Sequence, residues 1–441
     1  MSVSWRTNLW LTPSLTVAGA LVLFVASQWL DWTDHSGALA LPKWLNQGSA
    51  ADARSLLSAT AGAIITTLGL VLSITVLTLS IAASQFGQRL LRRYLRDRGT
   101  QVCIGIFAAT FVFSLLTLLS VTSRPKEREY VPWLSIWIST LAALTCIAVL
   151  IYYINHVANS IQVNNVLADL SSEFRWAIRN SHRPSKLSVT SIPEVHAKLP
   201  LPAIATGYLQ SIDYEALAAA AAESDAVVLF LFRPGEFIVE GATLAVAEVH
   251  GRGGQRLQSA LTKAVKIGTR RTLRQDPEFA IAQIVEIALR AMSPGINDPN
   301  TAVACVNWLS DALRVRVNCL QNPGHVDDRG HVRVIEKVDS FEQVVASAYD
   351  PIRHVARNSL MLSLAMLKSI ALIAPFVQTS NGKRALQNQM QLVNEGLCPE
   401  AMSRDRQDVA EAYRRAVEAF DSSGRRTDSI RGTFETVTRV E

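Results

Sequence analysis

The chain has 441 residues, 49% of them apolar and 18% charged, with a formal net charge of +6. That length allows two or three separately packed regions, and the apolar content exceeds that of an ordinary soluble domain. A charge this modest, with arginines set beside apolar runs, points to anionic lipid headgroups and away from nucleic acid, and Cys103, Cys146, Cys305, Cys319 and Cys398 form no CxxC pair, which excludes a disulfide framework or a zinc site.

Most of the apolar excess precedes residue 157. Four runs, Leu11 to Leu30, Leu57 to Ser84, Val102 to Val121 and Val131 to Tyr153, each approach or exceed the ~20 residues that cross a bilayer core as a helix. Trp5, Trp10, Trp29, Trp32, Trp44, Trp133 and Trp137 fall in this part, mostly at the ends of the runs, as an interfacial aromatic belt would. Arg6 alone precedes the first run and no small-residue cleavage site follows it, so it reads as a retained helix. The connection after the second run, QFGQRLLRRYLRDRGTQ, holds Arg89, Arg92, Arg93, Arg96 and Arg98; the next offers Arg124, Lys126 and Arg128 offset by Glu127 and Glu129. This bias, with Arg175, Arg179, Arg183 and Lys186 after the fourth run, predicts both termini and the C-terminal half on the cytoplasmic side of the cell (inner or plasma) membrane.

The second run carries a stripe of its own. Steps of four and three from Gly62 give Thr66, Gly69, Ser73, Val76, Ser80, Ala83 and Gly87, almost all small or hydroxylated. Such a face either packs closely against another helix or, repeated around an axis, lines a narrow path for water or ions. The run contains no ionisable residue, which argues against a proton relay or voltage sensor there. The fourth run continues as YYINHVANSIQVNNVLADL, where His156 reads as a solvated interfacial side chain in preference to a ligand or pH-sensitive group.

Residues 166–203 are polar and broken by prolines, and are expected to be a linker. In 204–265 the pattern predicts a small β-rich domain: a strand Gly207 to Ile212, a helix Tyr214 to Glu223 capped by Asp213, and strands Ala226 to Phe232 and Glu236 to Val239 around a Pro234-Gly235 turn. The stretch Arg233–Glu248, RPGEFIVEGATLAVAE, is similar to the half-motif of biotinyl/lipoyl-like domains, implying a small β-sandwich or half-barrel. It lacks the lysine that would carry the prosthetic arm. GRGG at Gly251–Gly254 has neither the spacing nor the lysine of a phosphate loop.

In 266–420 a helical domain is expected, entered through RQDPEFAIAQIVEIALRAMSPGINDPNTA, Arg274–Ala302. Asp276-Pro277, Asp298-Pro299 and Asp350-Pro351 each read as an N-cap aspartate followed by proline at the first helical position. Capping does not require Asn297. With Arg270, Arg271, Arg274 and Gln275, and with Asp276 and Asp298 beside them, Asn297 forms a candidate site for a small anionic ligand or a subunit contact, since helix starts favour negative charge. Ser340 and Gln343 form a capping box for a helix broken at Asp350-Pro351; Pro351 to Ala374 is apolar enough to resemble a fifth span, but Lys368, Arg353 and Arg357 favour a buried core helix. Helices near Asn381 to Asn394 and Arg404 to Phe420 precede a tail, 421–441, expected to be disordered.

The run QDPEFAIAQIVEIALRAMSPGINDPNTA, together with SQFGQRLLRRYLRDRGTQ, HVANSIQVNNVLA, GYLQSIDYEAL, RPGEFIVEG and IGTRRTLRQDPEF in the same order, resembles the bacterial family of predicted membrane proteins called DUF2254, a domain of unknown function. The resemblance implies a polytopic membrane protein and brings no activity; Asn300 stands where the family pattern leads one to expect an aromatic. The expected architecture is a four-span helical membrane domain, 1–165, followed by a cytoplasmic α+β region. No catalytic motif, metal cluster or cofactor fingerprint is present. Two functions stay open: a homo-oligomeric channel or transport-like protein with span two near the axis, and a membrane-anchored sensor or scaffold. A tethered enzyme has no residues to argue for it.

Overall fold

The computed structural model describes residues 11–35, 49–86, 97–121, 130–160, 162–181, 193, 196, 199–249, 253–317, 323–398 and 401–437. The chain forms two compact units, Met1–Asn165 and Val166–Glu441.

In the first unit, α1 (Leu11–His35), α2 (Ala50–Phe86), α3 (Arg98–Ser120) and α4 (Trp133–Ser160) are long and apolar enough to cross a membrane. Helix α2 begins before its apolar run because Ser49 and Asp52 cap it reciprocally: Ser49 N donates to Asp52 Oδ2 at 3.1 Å and Asp52 N to Ser49 Oγ at 3.2 Å. Its 37 residues extend about 55 Å at the helical rise, well beyond the ~30 Å of hydrocarbon. Leu141, Ile147 and Ile151 face outward on α4, while Ile64, Val71, Cys103, Phe107, Cys146, Tyr153 and Val157 pack between α2, α3 and α4.

Polar pairs bridge these helices. Ser114 and Ser139 share a hydrogen bond at 2.7 Å, Cys146 donates to Thr110 at 3.5 Å, and Tyr153 donates to Val71 O at 3.0 Å. Each such contact contributes about 0.6 kcal/mol in lipid. Asp31, the residue directly after the predicted end of the first span, is buried and caps α4 from a neighbouring helix. Its carboxylate accepts Leu134 N at 2.9 Å, Ser135 N at 3.0 Å and Ser135 Oγ at 2.6 Å, satisfying amides that the helix start leaves open.

In the second unit the expected linker is partly folded. Helix α5 (Val163–Ser181) buries Val166, Leu167, Leu170, Phe174 and Ala177, and Ser171 Oγ donates to Asp311 at 2.7 Å. A 3.6-residue apolar rhythm in a stretch otherwise rich in charge and amides accounts for both. Then come β1 (Leu199–Pro202), β2 (Gly207–Ile212), α6 (Tyr214–Glu223), β3 (Ala226–Phe230), β4 (Phe237–Ile238), β5 (Thr243–Val249), α7 (Gly254–Ala264) and β6 (Val265–Gly268). Residues 250–252, which include Gly251 and Arg252 of GRGG, lie outside the described residues.

After α8 (Glu278–Ala291) and α9 (Pro299–Val317), the chain returns to the sheet with β7 (Gly324–Val326) and β8 (Val332–Ile335). The larger sheet has the order β1-β5-β3-β8-β7 and the smaller β4-β2-β6. Strand β8 runs parallel to β3, Val228 opposite Val334, while β5 is antiparallel on the other side of β3. The β region is therefore not confined to 204–265. Leu209, Leu217, Val228, Phe230, Leu244, Leu257 and Val334 fill its core.

Helices α10 (Phe341–Ala356), α11 (Leu360–Ile373), α12 (Ser380–Glu395) and α13 (Ser403–Val437) complete the unit. Asp350-Pro351 does not break α10: Pro351 sits inside it, Asp350 accepts Gln389 Nε2 at 2.9 Å, and the break comes at Ser359, which caps α11. The run that resembled a fifth span is thus shortened to 14 residues and buries Leu362, Met366, Leu367 and Ile370. Helical backbone also continues to Val437, through most of the expected disordered tail.

Candidate functional site

The residues singled out in the second unit converge on a buried ionic junction. Strand β3 ends in a tight reversal at Arg233-Pro234-Gly235-Glu236. Gly235 has φ +98° and donates its amide to Leu209 O at 2.7 Å. Its α-carbon faces the Asp276 carboxylate so closely that a Cβ there would lie 2.1 Å from Oδ2. That carboxylate is fully buried. It receives Arg271 Nε at 2.8 Å and Nη2 at 3.0 Å, and Arg233 Nη1 at 3.3 Å.

Arg233 reaches Asp339 with Nη2 at 2.6 Å, and its backbone amide donates to Glu236 at 2.8 Å. Glu236 also pairs with Lys337 at 2.8 Å. At the first residue of α8, Glu278 pairs with Arg316 at 3.4 Å, and Arg316 Nη2 donates to Asp339 O at 2.7 Å. Burial pushes the Glu278 carboxyl up, against the pull of Arg233 and Arg316. Arg271 lies over the Phe279 ring, 5.0 Å from its centre. Arg233, Arg271, Arg316 and Lys337 are balanced by Glu236, Asp276, Glu278 and Asp339, so the junction's own carboxylates match its cations and no charge is left to recruit an anion. What it does is fix the β3–β4 turn, the start of α8, the end of α9 and the β8–α10 connection relative to one another, because removing one partner of a buried pair costs about 3–5 kcal/mol.

This corrects the reading of Asp276. It is not a helix cap: α8 has no side-chain cap bond and its first turn closes on backbone alone. Gln275 is also used internally, its amide bonding both the N–H and the C=O of Ile212 at 2.7 and 2.8 Å. Asp298 does cap, accepting Thr301 N at 3.1 Å and Thr301 Oγ1 at 2.6 Å. Asn297 has φ +44°, and the adjacent amide of Asp298 returns to Ala291 O at 2.7 Å; a left-handed residue is what this reversal needs, and asparagine tolerates it. Asn297 and Asp298 lie beyond the far end of α8, about 20 Å along its axis from Asp276. Arg270 and Arg274 are exposed and form no ion pair with a described residue. Sequence neighbours thus separate into a buried junction, a distant turn and two surface arginines. Arg233, Glu278, Arg316 and Asp339 went unselected; an arginine immediately before a Pro-Gly turn was the available signal.

In the membrane unit, Gly62, Thr66, Gly69, Ser73, Val76 and Ser80 are all exposed and Ala83 is half-buried; Gly87 lies outside the described residues. A Cβ at Gly62 or Gly69 would meet nothing within 4 Å. Helix α2 packs on its own chain with the opposite face, through Ala61, Ile64, Val71, Thr75, Thr78 and Ala82. The hydroxyls of Thr66 and Ser73 donate back to Gly62 O at 2.8 Å and Gly69 O at 2.9 Å. His156 is not merely solvated: its Nε2 lies 2.7 Å from Oδ2 of Asp97, which caps α3 through Thr100 N, and Tyr152 stacks on its ring. Most of the basic segment before Asp97 lies outside the described residues. Among the described residues no three His, Cys, Asp or Glu side chains gather as a metal site would require.

Comparison with known proteins finds an uncharacterised protein of Mycobacterium bovis (strain ATCC BAA-935 / AF2122/97), 32% identical over 399 residues, covering 88% of this chain and 76% of that protein. An uncharacterised protein of Mycobacterium tuberculosis (strain ATCC 25618 / H37Rv) matches with the same 32% identity and coverage. No solved structure matches. With four membrane-length helices, a mixed sheet-and-helix unit following them in sequence, and a family model matching residues 6–371, the chain belongs to the family described as Predicted membrane protein (DUF2254).

Proposed function

We propose that this membrane protein acts as a homo-oligomer in which copies of α2 meet along the small-residue face, forming a channel or transport-like path, with the second unit on the cytoplasmic side as its regulatory part. The observation that carries this is the outward position of the stripe Gly62, Thr66, Gly69, Ser73, Val76 and Ser80 while α2 packs on its own chain with its other face. Intramolecular packing therefore does not account for the stripe. Small residues let two helix backbones approach closely and gain van der Waals contact that lipid does not provide, and the Thr66 and Ser73 hydroxyls, already bonded within the helix, add no unsatisfied group. The arginine-rich connection after α2 supports the cytoplasmic assignment.

The test is flux or single-channel recording on the full chain in liposomes, beside cysteine cross-linking at Gly69→Cys. Copies linked through residue 69, together with a conductance that Ser73→Trp abolishes without dispersing the oligomer, support the reading. A monomer with no cross-link and no flux, under tension and across voltage and pH, removes it. That outcome would favour the anchored sensor, for which Arg270 and Arg274 are the exposed cations among the candidate ligand residues.

A further inference from the structure

The smaller sheet, β4-β2-β6, has two unlike faces. Leu209, Ile212 and Ile238 point into the core and Ile267 packs against it. On the other face Phe237 pairs with Tyr208 across the strands, and Tyr208 with Gly268. Phe237 is 53% exposed, and its ring meets Tyr208 edge-on with centroids 5.2 Å apart. Val239 is exposed beside it, and the loop after it is joined to the one before β2 by Gly241 N to Ala203 O at 2.9 Å and Glu240 N to Thr206 Oγ1 at 3.0 Å.

Across the sheet, two strand spacings or about 10 Å away, the surface becomes basic. Lys266 stands on β6, and the following loop, tied to β2 by Gln210 Nε2 donating to Arg270 O at 2.8 Å, carries Arg270 and Arg274. All three side chains are exposed. Between Glu248 and Asp276 the sequence contains Arg252, Arg256, Lys263, Lys266, Arg270, Arg271 and Arg274 and no acidic residue. Arg271 is taken up by the ionic junction and Arg256 faces Glu223. Exposed Glu240, beside Val239, offsets part of the remaining charge.

We infer that this face is a docking surface for an anionic lipid bilayer: Phe237 and Val239 enter the headgroup layer while Lys266, Arg270 and Arg274 rest on lipid phosphates. An aromatic and aliphatic edge beside a row of cations matches the two components of such a surface, a shallow apolar layer under negative charge. A two-fold contact with its axis through the basic row would set the same cations against each other, which disfavours that arrangement of a second copy. The bilayer is also the polyanion always within reach, because the same polypeptide carries four membrane-length helices. The inference does not depend on the oligomer or the pore.

The experiment places bimane on Val239→Cys in a Cys319→Ala, Cys398→Ser background of the full chain, reconstituted in nanodiscs with or without phosphatidylglycerol and with nitroxide-labelled lipid as quencher. Docking predicts quenching in phosphatidylglycerol discs, little in pure phosphatidylcholine, and loss when salt is raised about tenfold, which shortens the screening length about threefold. Lys266→Gln, Arg270→Gln and Arg274→Gln together should weaken docking on the order of a hundredfold, about fivefold for each cation. Phe237→Ser, with every charge kept, should leave the probe near the bilayer but shallower. Equal quenching with and without anionic lipid would overturn the inference, as would none in either. So would protection that depends on protein copies per disc, which identifies a second chain as the occupant. Should the triple variant fail to fold, the salt series on the parent decides.

Discussion

Gly235→Ala tests the ionic junction most directly. Two costs arise at this position. A non-glycine residue at φ +98° is strained by about 1–2 kcal/mol. The new Cβ would also sit 2.1 Å from Asp276 Oδ2 and 2.4 Å from Cγ, closer than Cβ atoms come to any neighbour, and that carboxylate is held by Arg271 and Arg233. It can move only by releasing those pairs, at about 3–5 kcal/mol. Gly241 is the control: its φ is +82°, and a Cβ there meets nothing within 4 Å. For a unit of this size about 2–4 °C of melting temperature corresponds to each kcal/mol. Gly241→Ala should therefore lower the melting point by about 2–8 °C and Gly235→Ala on the order of 10–20 °C. The assay is thermal unfolding of the full chain in nanodiscs, with hydrogen exchange on peptides spanning Arg233 and Asp276 to locate the change. In an Asp276→Ala background the Gly235→Ala cost should fall to the control level. Two alanine variants melting within about 2 °C of each other would refute the claim that Asp276 is locked.

Other expectations follow from single contacts. Asp298→Ala should cost about 1 kcal/mol as a lost cap, and Asp276→Ala several times that; similar losses from the two Asp-Pro sites would show the junction to be inert. Asn297→Gly should leave the melting point unchanged or raise it, whereas Asn297→Val should cost about 1–2 kcal/mol; a loss from the glycine variant would give the amide side chain a role that the turn does not explain. Asp31→Ala should raise hydrogen exchange at the first turn of α4 and destabilise the membrane unit by about 1–3 kcal/mol, and unaltered exchange around Leu134 and Ser135 would count against the inter-helix cap. In the β7–β8 hairpin, burial raises the Asp327 carboxyl, but Arg333 and the amides of His331 and Arg329 outweigh it and hold the group at about 2. A depressed carboxyl stabilises above its unfolded value near 3.9 and ceases to as pH falls through the folded one. Exchange in residues 324–335 should accordingly rise between about pH 4 and 2, and a hairpin equally acid-sensitive in Asp327→Asn would locate the titration elsewhere.

The membrane helices were legible because an apolar run of spanning length has few other readings, and the strands near Gly207, Ala226 and Glu236 because β-branched runs end at Pro234-Gly235. Their ends were less so. Helix α2 starts at a Ser49–Asp52 cap outside the apolar run, and β7 and β8 lie in HVDDRGHVRVI, where charge hides the alternation. The three Asp-Pro pairs show the limit of local grammar. Asp298 caps because Thr301 stands three residues on; Asp276 is claimed by Arg271 and by Arg233, far back in the chain; Asp350 is held within a continuous helix by Gln389. Local sequence shows that an aspartate can cap, not which distant guanidinium or amide competes for it. The stripe on α2 was legible as a pattern, but its outward direction depends on which face meets α3 and α4.

The position of β3 bears on how the protein is made. One of its edges is covered by β5, which follows closely in the chain, but the other waits for Val332–Ile335, roughly a hundred residues later. At about 5–20 residues per second of synthesis, that edge is bare for about 5–20 s after β5 has paired. Val228 and Phe230, fully enclosed in the finished sheet, belong during that interval to a half-covered apolar ribbon of the kind that recruits strands from neighbouring chains. Production of this protein should therefore be limited less by its membrane helices than by the ribosome's pace between residues 249 and 335, and slowing translation there should increase aggregation even when every span has inserted.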